Sequence, residues 1–312
     1  MKYWLALVAL FLLSCKTQAQ QHEIQSPVSL IVLGTVQDGG SPHIGCKRDC
    51  CAELFQNPDP ERKVVSLGLV DHENQKTYLF EATPDMSTQL KVLKTYAGLD
   101  AETPTGIFLT HAHIGHYTGL MYLGREALGA KQVPIYAMPK MKAFLENNGP
   151  WNQLVALGNI GLEEMIDKRS VELTSHLTVI PFTVPHRDEF SETVGFKIIG
   201  PTKSVLFIPD IDKWKKWDES ITEQIRNVDL AFLDASFFDS KEINNRDIAE
   251  IPHPFVIESM ELFASLPASE KEKIHFIHFN HTNPLLDESS EASQSVRDAG
   301  YKVARFHQKI GL

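Results

Sequence analysis

The amino-acid sequence predicts an α/β fold, and three observations predict it. Apolar, strand-like runs recur from Val28 to Asn280, segments with helical spacing lie between them, and nearly every run stops at a histidine, an aspartate or a turn-forming residue. Strand ends with polar side chains are where α/β folds place ligands and chemistry, because a rigid sheet holds the side chains while loops shape the pocket.

The 312 residues are 43% hydrophobic and 22% charged, enough to bury a full core and too apolar for a disordered chain. A formal net charge of −10 argues against a nucleic-acid binder, since phosphate backbones are held mainly by clustered Lys and Arg and no such run appears. The densest basic stretch, "KWKKW" from Lys213 to Trp217, reads as a solvated helix face.

Residues 1–20 carry a basic residue, an apolar run from Trp4 to Leu13 and a small polar segment, the layout of an export signal. The run is too short to span a bilayer as a helix. "LLSC", Leu12 to Cys15, resembles a bacterial lipoprotein box, in which the cysteine becomes the lipid-modified first residue; secretion with cleavage near Thr17 to Ala19 is the alternative. The expectation is an exported protein, periplasmic or an outer-membrane lipoprotein, with membrane contact only through that anchor. No linker rich in Pro, Gly or Ser divides the remainder of the chain, so residues 28–312 are expected to form one domain.

"VSLIVLGT" (Val28 to Thr35) has the pattern of a buried strand and breaks at the Gly- and Pro-rich "QDGGSPHIGC". "VVSLGLVD" (Val64 to Asp71) and "TYLFEATPD" (Thr77 to Asp85) follow as strands around the turn "HENQK". "MSTQLKVLKTYAG" (Met86 to Gly98) has apolar residues at helical spacing and a terminal glycine, as a helix would. Next come "GIFLT", a helix from about Thr118 to Gly129, the strand "VPIYAM" and a helix over "PKMKAFLENN". The second half repeats the style with strands at Leu177 to Val184, Val194 to Gly200, Ser204 to Asp210, Asp229 to Ala235 and Ile274 to Asn280.

"THAHIGHYTGL", residues 110–120, places His111, His113 and His116 at a strand end, where a tight loop can aim them at one ion and its neighbour. Together with His186 in "FTVPHRDEF", Asp210 in "LFIPDID" and His281 in "HFNHTNPLL", this series resembles, in order, the ligand motifs of the metallo-β-lactamase superfamily. "VLGTVQDGGSPHIGC" and "VPHRDEFSETVGFKIIG" resemble most the branch that contains pyrroloquinoline quinone biosynthesis protein B. The resemblance covers nearly the whole chain after residue 20.

It implies an αββα four-layer sandwich with metals at one edge of two facing sheets. His111, His113 and His186 would hold the first ion; His116, Asp210 and His281 would serve the second, with Asp210 bridging and carrying the catalytic role. One or two divalent ions, Zn²⁺ before Fe²⁺ or Mn²⁺, suit this donor set. Gly115 departs from the family pattern, which has an aspartate just before the last histidine of the motif. Its loss should leave a weaker second site, and Gly115→Asp should restore the fuller ligand set.

Cys46, Cys50 and Cys51 in "CKRDCC" are an odd number of thiols once Cys15 is assigned to the signal. They are expected to hold a structural zinc, as in relatives of this branch, with His307 or His43 as fourth ligand; a disulfide plus one free thiol is the alternative. His253, between two prolines, is assigned to substrate binding; Asp85 and Asp234 are read as supports for ligating histidines or as caps, and Glu81, His275 and His278 as sheet positions. The expected function is a metal-dependent hydrolase that cleaves a small-molecule ester, phosphodiester or amide with metal-bound hydroxide. An iron-dependent oxygenase on a quinone precursor, and a non-catalytic surface protein that binds a quinone or metal, are the alternatives.

Overall fold

The computed structural model describes residues 26–243 and 246–312. The expected export signal and Cys15 lie outside the described residues. Two seven-stranded sheets face each other. The first holds β1 (Val28–Gly34), β2 (Ser66–Asp71), β3 (Lys76–Phe80), β4 (Gly106–Phe108), β5 (Val133–Ala137) and β6 (Ile160–Glu164) side by side in that order. The second holds β7 (Val171–Thr174), β8 (Leu177–Thr183), β9 (Val194–Ile199), β10 (Ser204–Ile208), β11 (Leu230–Asp234), β12 (Ile274–Ile277) and β13 (Lys302–Val303). The last strand, β14 (Lys309–Gly311), returns to the first sheet and pairs antiparallel with β1.

Each sheet starts with antiparallel strands and ends with parallel ones, β3 to β6 in the first and β10 to β13 in the second. The sequence dictates the switch. "HENQK" is short enough to join β2 to β3 antiparallel, whereas parallel neighbours need a crossover. Between β3 and β4 that crossover is the helix Met86–Ala97, which ends at Gly98 with φ of 64°, the left-handed cap its glycine permits.

Three apolar layers result. Leu30, Leu69, Phe80 and Phe108 of the first sheet meet Phe196, Phe207, Phe232 and Ile277 of the second in the middle. The outer face of the first sheet, with Ile31, Leu79 and Ile135, is covered by Leu93, Met141, Leu145 and Leu154 of its helices. Ile225, Val256 and Val296 cover Leu206, Leu233 and Phe276 of the second. Strands buried on both faces lose the alternation of half-exposed strands, hence runs such as "VSLIVLG". This is the αββα sandwich expected from the sequence.

The helix expected from Thr118 to Gly129 is instead a 3₁₀ segment, Thr118–Leu123, followed by turns. A Cβ on Gly119 would lie 2.1 Å from the Thr83 carbonyl oxygen, and Gly119 N donates to Ala82 O at 2.8 Å, so this segment is docked on the chain after β3. Docking outweighs helix propensity there. Strands β6, β7, β13 and β14, absent from the sequence expectation, are short or partly exposed and carry little strand pattern.

At one edge the sheets are stitched together. Val36, just past β1, bridges both Val64 and Phe279, with Gln37 N donating to Phe279 O at 2.8 Å and Phe279 N to Thr35 O at 2.7 Å. Strands β1, β3, β4, β8, β10, β11 and β12 all lead into this edge and deliver Asp38, Glu81, His111, His186, Asp210, Asp234 and His278.

Candidate metal centre

Four side chains meet where β4, β8 and β10 end. His111 Nε2 lies 2.8 Å from His113 Nδ1, which lies 3.2 Å from His186 Nε2. Asp210 Oδ2 is 3.3 Å from His111 Nε2 and 3.2 Å from His186 Nε2. Nitrogen lone pairs turned on one another at these distances need a cation or proton between them. Burial and the charge on His116 push His111 well below the ordinary imidazole range, and burial lowers His113 against the pull of Glu189. Neutral imidazoles with a carboxylate oxygen form a donor set that fits a divalent ion.

A second group shares Asp210. His116 Nε2 lies 2.9 Å from Asp38 Oδ1 and 3.8 Å from Asp210 Oδ2, and His278 Nε2 lies 3.3 Å from Asp38 Oδ1. One donor atom from each of Asp38, His116, Asp210 and His278 lies within 4.8 Å of the others. Asp210 Oδ2 therefore stands between two four-donor groups.

Carboxylates back the second group. Glu81 Oε2 is 3.4 Å from His116 Nδ1, and Ser236 Oγ and Asp234 Oδ1 lie 2.9 and 3.4 Å from His278 Nδ1. A carboxylate or hydroxyl behind one ring nitrogen fixes the tautomer and aims the other nitrogen at a metal. Burial lowers both imidazoles, yet Asp38 and Glu81 carry His116 well above its ordinary value, and Asp234 and Asp38 hold His278 up at about 9. Burial raises Asp38 and Asp210, and the facing histidines outweigh it and keep both well below the usual carboxylate range. Glu81 and His278 have φ of 78° and 69°, rare for residues with a side chain and the kind of backbone strain that gathers at functional sites.

Gly115 packs directly against Asp38. A Cβ at that position would lie 2.7 Å from both Cα and Cγ of Asp38, and Gly115 N points at Asp38 Oδ2 at 3.4 Å. The carboxylate absent from "HAHIGH" arrives from the loop after β1 and fills the space beside Gly115. The second group is thus not short of an oxygen donor, contrary to the sequence expectation.

A protein-family model, the beta-lactamase superfamily domain, matches residues 76–278. The chain belongs to that superfamily. Coenzyme PQQ synthesis protein B of Methylobacterium nodulans is 26% identical over 319 residues, spanning 90% of this chain and 99% of its own. Among solved structures, Zn²⁺-bound PqqB from Methylobacterium extorquens superposes with a TM-score of 0.74 at 21% identity, covering 91% of this chain and 100% of its own. A diphosphatase from the PhnP family superposes with a TM-score of 0.64 at 23% identity over 91% and 96%. The superfamily match and the donor groups make this protein a metal-dependent enzyme able to hold one or two divalent ions. The superfamily match starts after Asp38, so its own span leaves that carboxylate out.

His281, expected in the second group, lies elsewhere. Strand β12 ends at Ile277, His278 turns toward Asp38, and Phe279 returns to bond the chain after β1, which carries His281 out to Cys46, Cys50 and Cys51. Cys46 and Cys50 sulfurs are 3.8 Å apart and those of Cys50 and Cys51 4.0 Å, well beyond a disulfide bond. Burial and the neighbouring thiols push Cys50 up to about 12. Three thiols and an imidazole are a donor set that fits a structural zinc.

His307, expected as the fourth ligand there, is engaged with Tyr96 instead, its Nδ1 3.2 Å from Tyr96 Oη. His43, the other candidate, stacks on His281 at 4.5 Å and donates its backbone N–H to Cys51 Sγ at 3.3 Å. His253, expected to contact substrate, is buried, with Nδ1 2.9 Å from Asp234 Oδ2 and 3.2 Å from Asp210 Oδ1. Burial lowers this ring and the two carboxylates reverse it, holding it up at about 10. Asp234 stands behind both His253 and His278, whereas Asp85 accepts from Val64 N at 2.8 Å, away from the metal groups. His275 is the sheet residue expected, stacked on Phe232 at 4.8 Å.

Asp38, Glu81 and His278 were missed as site residues. For Asp38 a signal existed: "QDGG" follows a strand-like run, the same strand-end position that marked His111 and Asp210. Nothing local set His278 apart from His275 or His281.

Proposed function

We propose that the protein hydrolyses a small-molecule phosphodiester or related ester at a centre of two divalent ions. The observation that carries this is Asp210 Oδ2, which lies 3.3, 3.2 and 3.8 Å from the Nε2 atoms of His111, His186 and His116 and so can serve both ions at once. His111, His113 and His186 would hold one ion and Asp38, His116 and His278 the other. Bound there, such ions would lower the pKa of water enough to supply a nucleophile at neutral pH and would stabilise the negative charge that develops on the ester oxygens.

The chain's own residues prepare that geometry. His253 Nδ1 engages Asp210 Oδ1, which turns Oδ2 toward both donor groups, and Asp234 holds His253 in that position. His253 is thereby a positioning residue. Glu81 and Thr110 Oγ1, the latter 2.8 Å from His111 Nδ1, orient the rings that face the ions.

The test is metal analysis of protein purified without chelator, followed by aryl phosphodiester, carboxylic ester and lactam substrates under air and under nitrogen. Two ions beyond the cysteine-bound one, with turnover independent of oxygen, is the expected result. Similarity to coenzyme PQQ synthesis protein B over nearly its full length favours a second reading, an iron-dependent oxygenase acting on a quinone precursor. Iron in the centre with oxygen consumed in step with turnover would establish it. Against it stands the donor-rich second group, since such oxygenases keep open positions on a single iron.

We also infer export and anchoring through Cys15, on the strength of "LLSC" after a short apolar run. Soluble wild-type protein with an N-terminus at Gln20 would overturn this.

A further inference from the structure

The loop from His186 to Thr193, between β8 and β9, is tied down at almost every polar residue. Glu189 Oε2 accepts from His113 Nε2 at 3.0 Å, and Ser191 Oγ accepts from Ala112 N at 2.9 Å. Glu192 Oε2 accepts from Lys140 N and Met141 N at 3.0 and 3.3 Å, and Thr193 Oγ1 donates to Asp188 Oδ1 at 2.8 Å. In the middle of this pinned loop Phe190 is 60% exposed.

A single exposed aromatic residue is ordinary. This one has company. Ile114, the residue after His113, is also 60% exposed, so an exposed apolar residue follows each partner of the His113–Glu189 contact in the chain, and His113 belongs to the first donor group. Behind Phe190 runs an aromatic bed: its ring lies 5.7 Å from Phe144, which packs on Trp151 at 5.7 Å and on Tyr117, the neighbour of His116, at 5.5 Å. The bed fixes Phe190 from behind while the loop fixes its backbone. A rigid ring presented to water beside a metal centre is prepared to stack with an aromatic group, in offset or edge-on geometry.

We propose that Phe190 and Ile114 form the apolar subsite of this centre, so that its substrate is an ester carrying an aromatic group that rests on Phe190 while the scissile bond lies at the metals. This rests on the hydrolytic reading above. Phe190 is then a specificity-determining residue. It tells an aryl ester from a small alkyl one without touching the reacting atoms.

The test uses two non-hydrolysable probes with the same metal-seeking head, phenylphosphonate and methylphosphonate, titrated by calorimetry into zinc-loaded protein. Phenylphosphonate is expected to bind about tenfold tighter, the gain from covering part of one ring. Phe190→Ala should bring that ratio to about twofold or less with methylphosphonate unchanged, and Phe190→Trp should keep it. A thermal melt of each variant checks folding, which an exposed ring should barely affect. Equal affinities in the wild type, or an unchanged ratio in Phe190→Ala, would overturn the subsite and leave the metal centre standing. If neither phosphonate binds, the hydrolytic reading falls and the subsite with it.

Discussion

The two halves of the metal centre share Asp210 and differ in almost everything else. His111 and His113 come from one short motif, His186 joins them from the loop after β8, and burial keeps His111 and His113 low in pKa. The other half is gathered from the loop after β1, the start of a short helix and the end of β12, and its imidazoles face Asp38, Glu81 and Asp234. Those carboxylates hold His116 and His278 above the ordinary imidazole range, so a cation bound there would have to displace protons. One half thus offers free lone pairs, and the other an anionic pocket that exchanges protons for metal.

The most severe way to break this comparison is to remove Asp38. Asp38→Ala should take metal content from two ions to one, with any cysteine-bound zinc subtracted, and lower turnover by more than about 100-fold, the upper end for residues that only orient a ligand. His281→Ala should leave both ions in place and release the cysteine-bound zinc. The reverse pattern in elemental analysis would return His281 to the active centre.

Acidification should separate the halves next. His278, held at about 9, and His116, held well above its ordinary value, are protonated at neutral pH, whereas His111 is not. Each displaced proton costs about tenfold in affinity per pH unit below the group's pKa. Lowering the pH from about 8 to 6 should release the second ion while the first stays bound. Calorimetry in buffers of different ionisation enthalpy measures the protons, and equal release from both halves would erase the distinction.

Glu81→Gln should act on one half alone. Weakening the acceptor behind His116 Nδ1 is expected to cost about 10- to 100-fold in affinity for the second ion and nothing for the first. An equal loss at both ions in competition with a zinc chelator would mean that Glu81 supports the fold and not the ligand.

Gly115→Asp gives the smallest expected effect and the sharpest test of how the carboxylate is supplied. With Asp38 already in that space, the substitution should destabilise by about 1–3 kcal/mol, as overpacking does, and lower metal occupancy. Combined with Asp38→Gly it should recover the second ion relative to Asp38→Gly alone, because the carboxylate then returns through the motif. Thermal melts and metal content at buffered free zinc check both. Higher occupancy in Gly115→Asp alone would show that the two carboxylates do not compete.

The residues the sequence exposed are those whose chemistry is local or ends a strand. His111, His113 and His116 announce themselves by spacing, and His186, Asp210 and Asp234 end short apolar runs rich in β-branched and aromatic residues that read as strands. Asp38 sits at the same kind of place and was passed over because its partners are 78 and 240 residues away, His116 and His278. His278 and His281 show the limit more plainly. Both follow β12 within a few residues, yet His278, at a positive φ, joins the group of Asp38 and His116 while His281 joins the cysteines.

By itself, then, the sequence determined the class of fold, the edge of the sheets where the histidines and aspartates collect and the three histidines of one donor group, because strand period, strand ends and motif spacing act over a few residues. It also determined that three cysteines would gather, since they are neighbours in the chain. Only the tertiary structure decided that Asp38 replaces the motif's missing carboxylate, that His278 and not His281 completes the second half, and that His281 joins the sulfurs. Those choices depend on how the segment after β1 is hydrogen-bonded to the segment after β12, at Thr35, Gln37 and Phe279. That pairing closes only when the two sheets pack face to face, burying Phe80 and Phe108 against Phe196, and no local pattern encodes which distant carboxylate the packing will bring to a glycine.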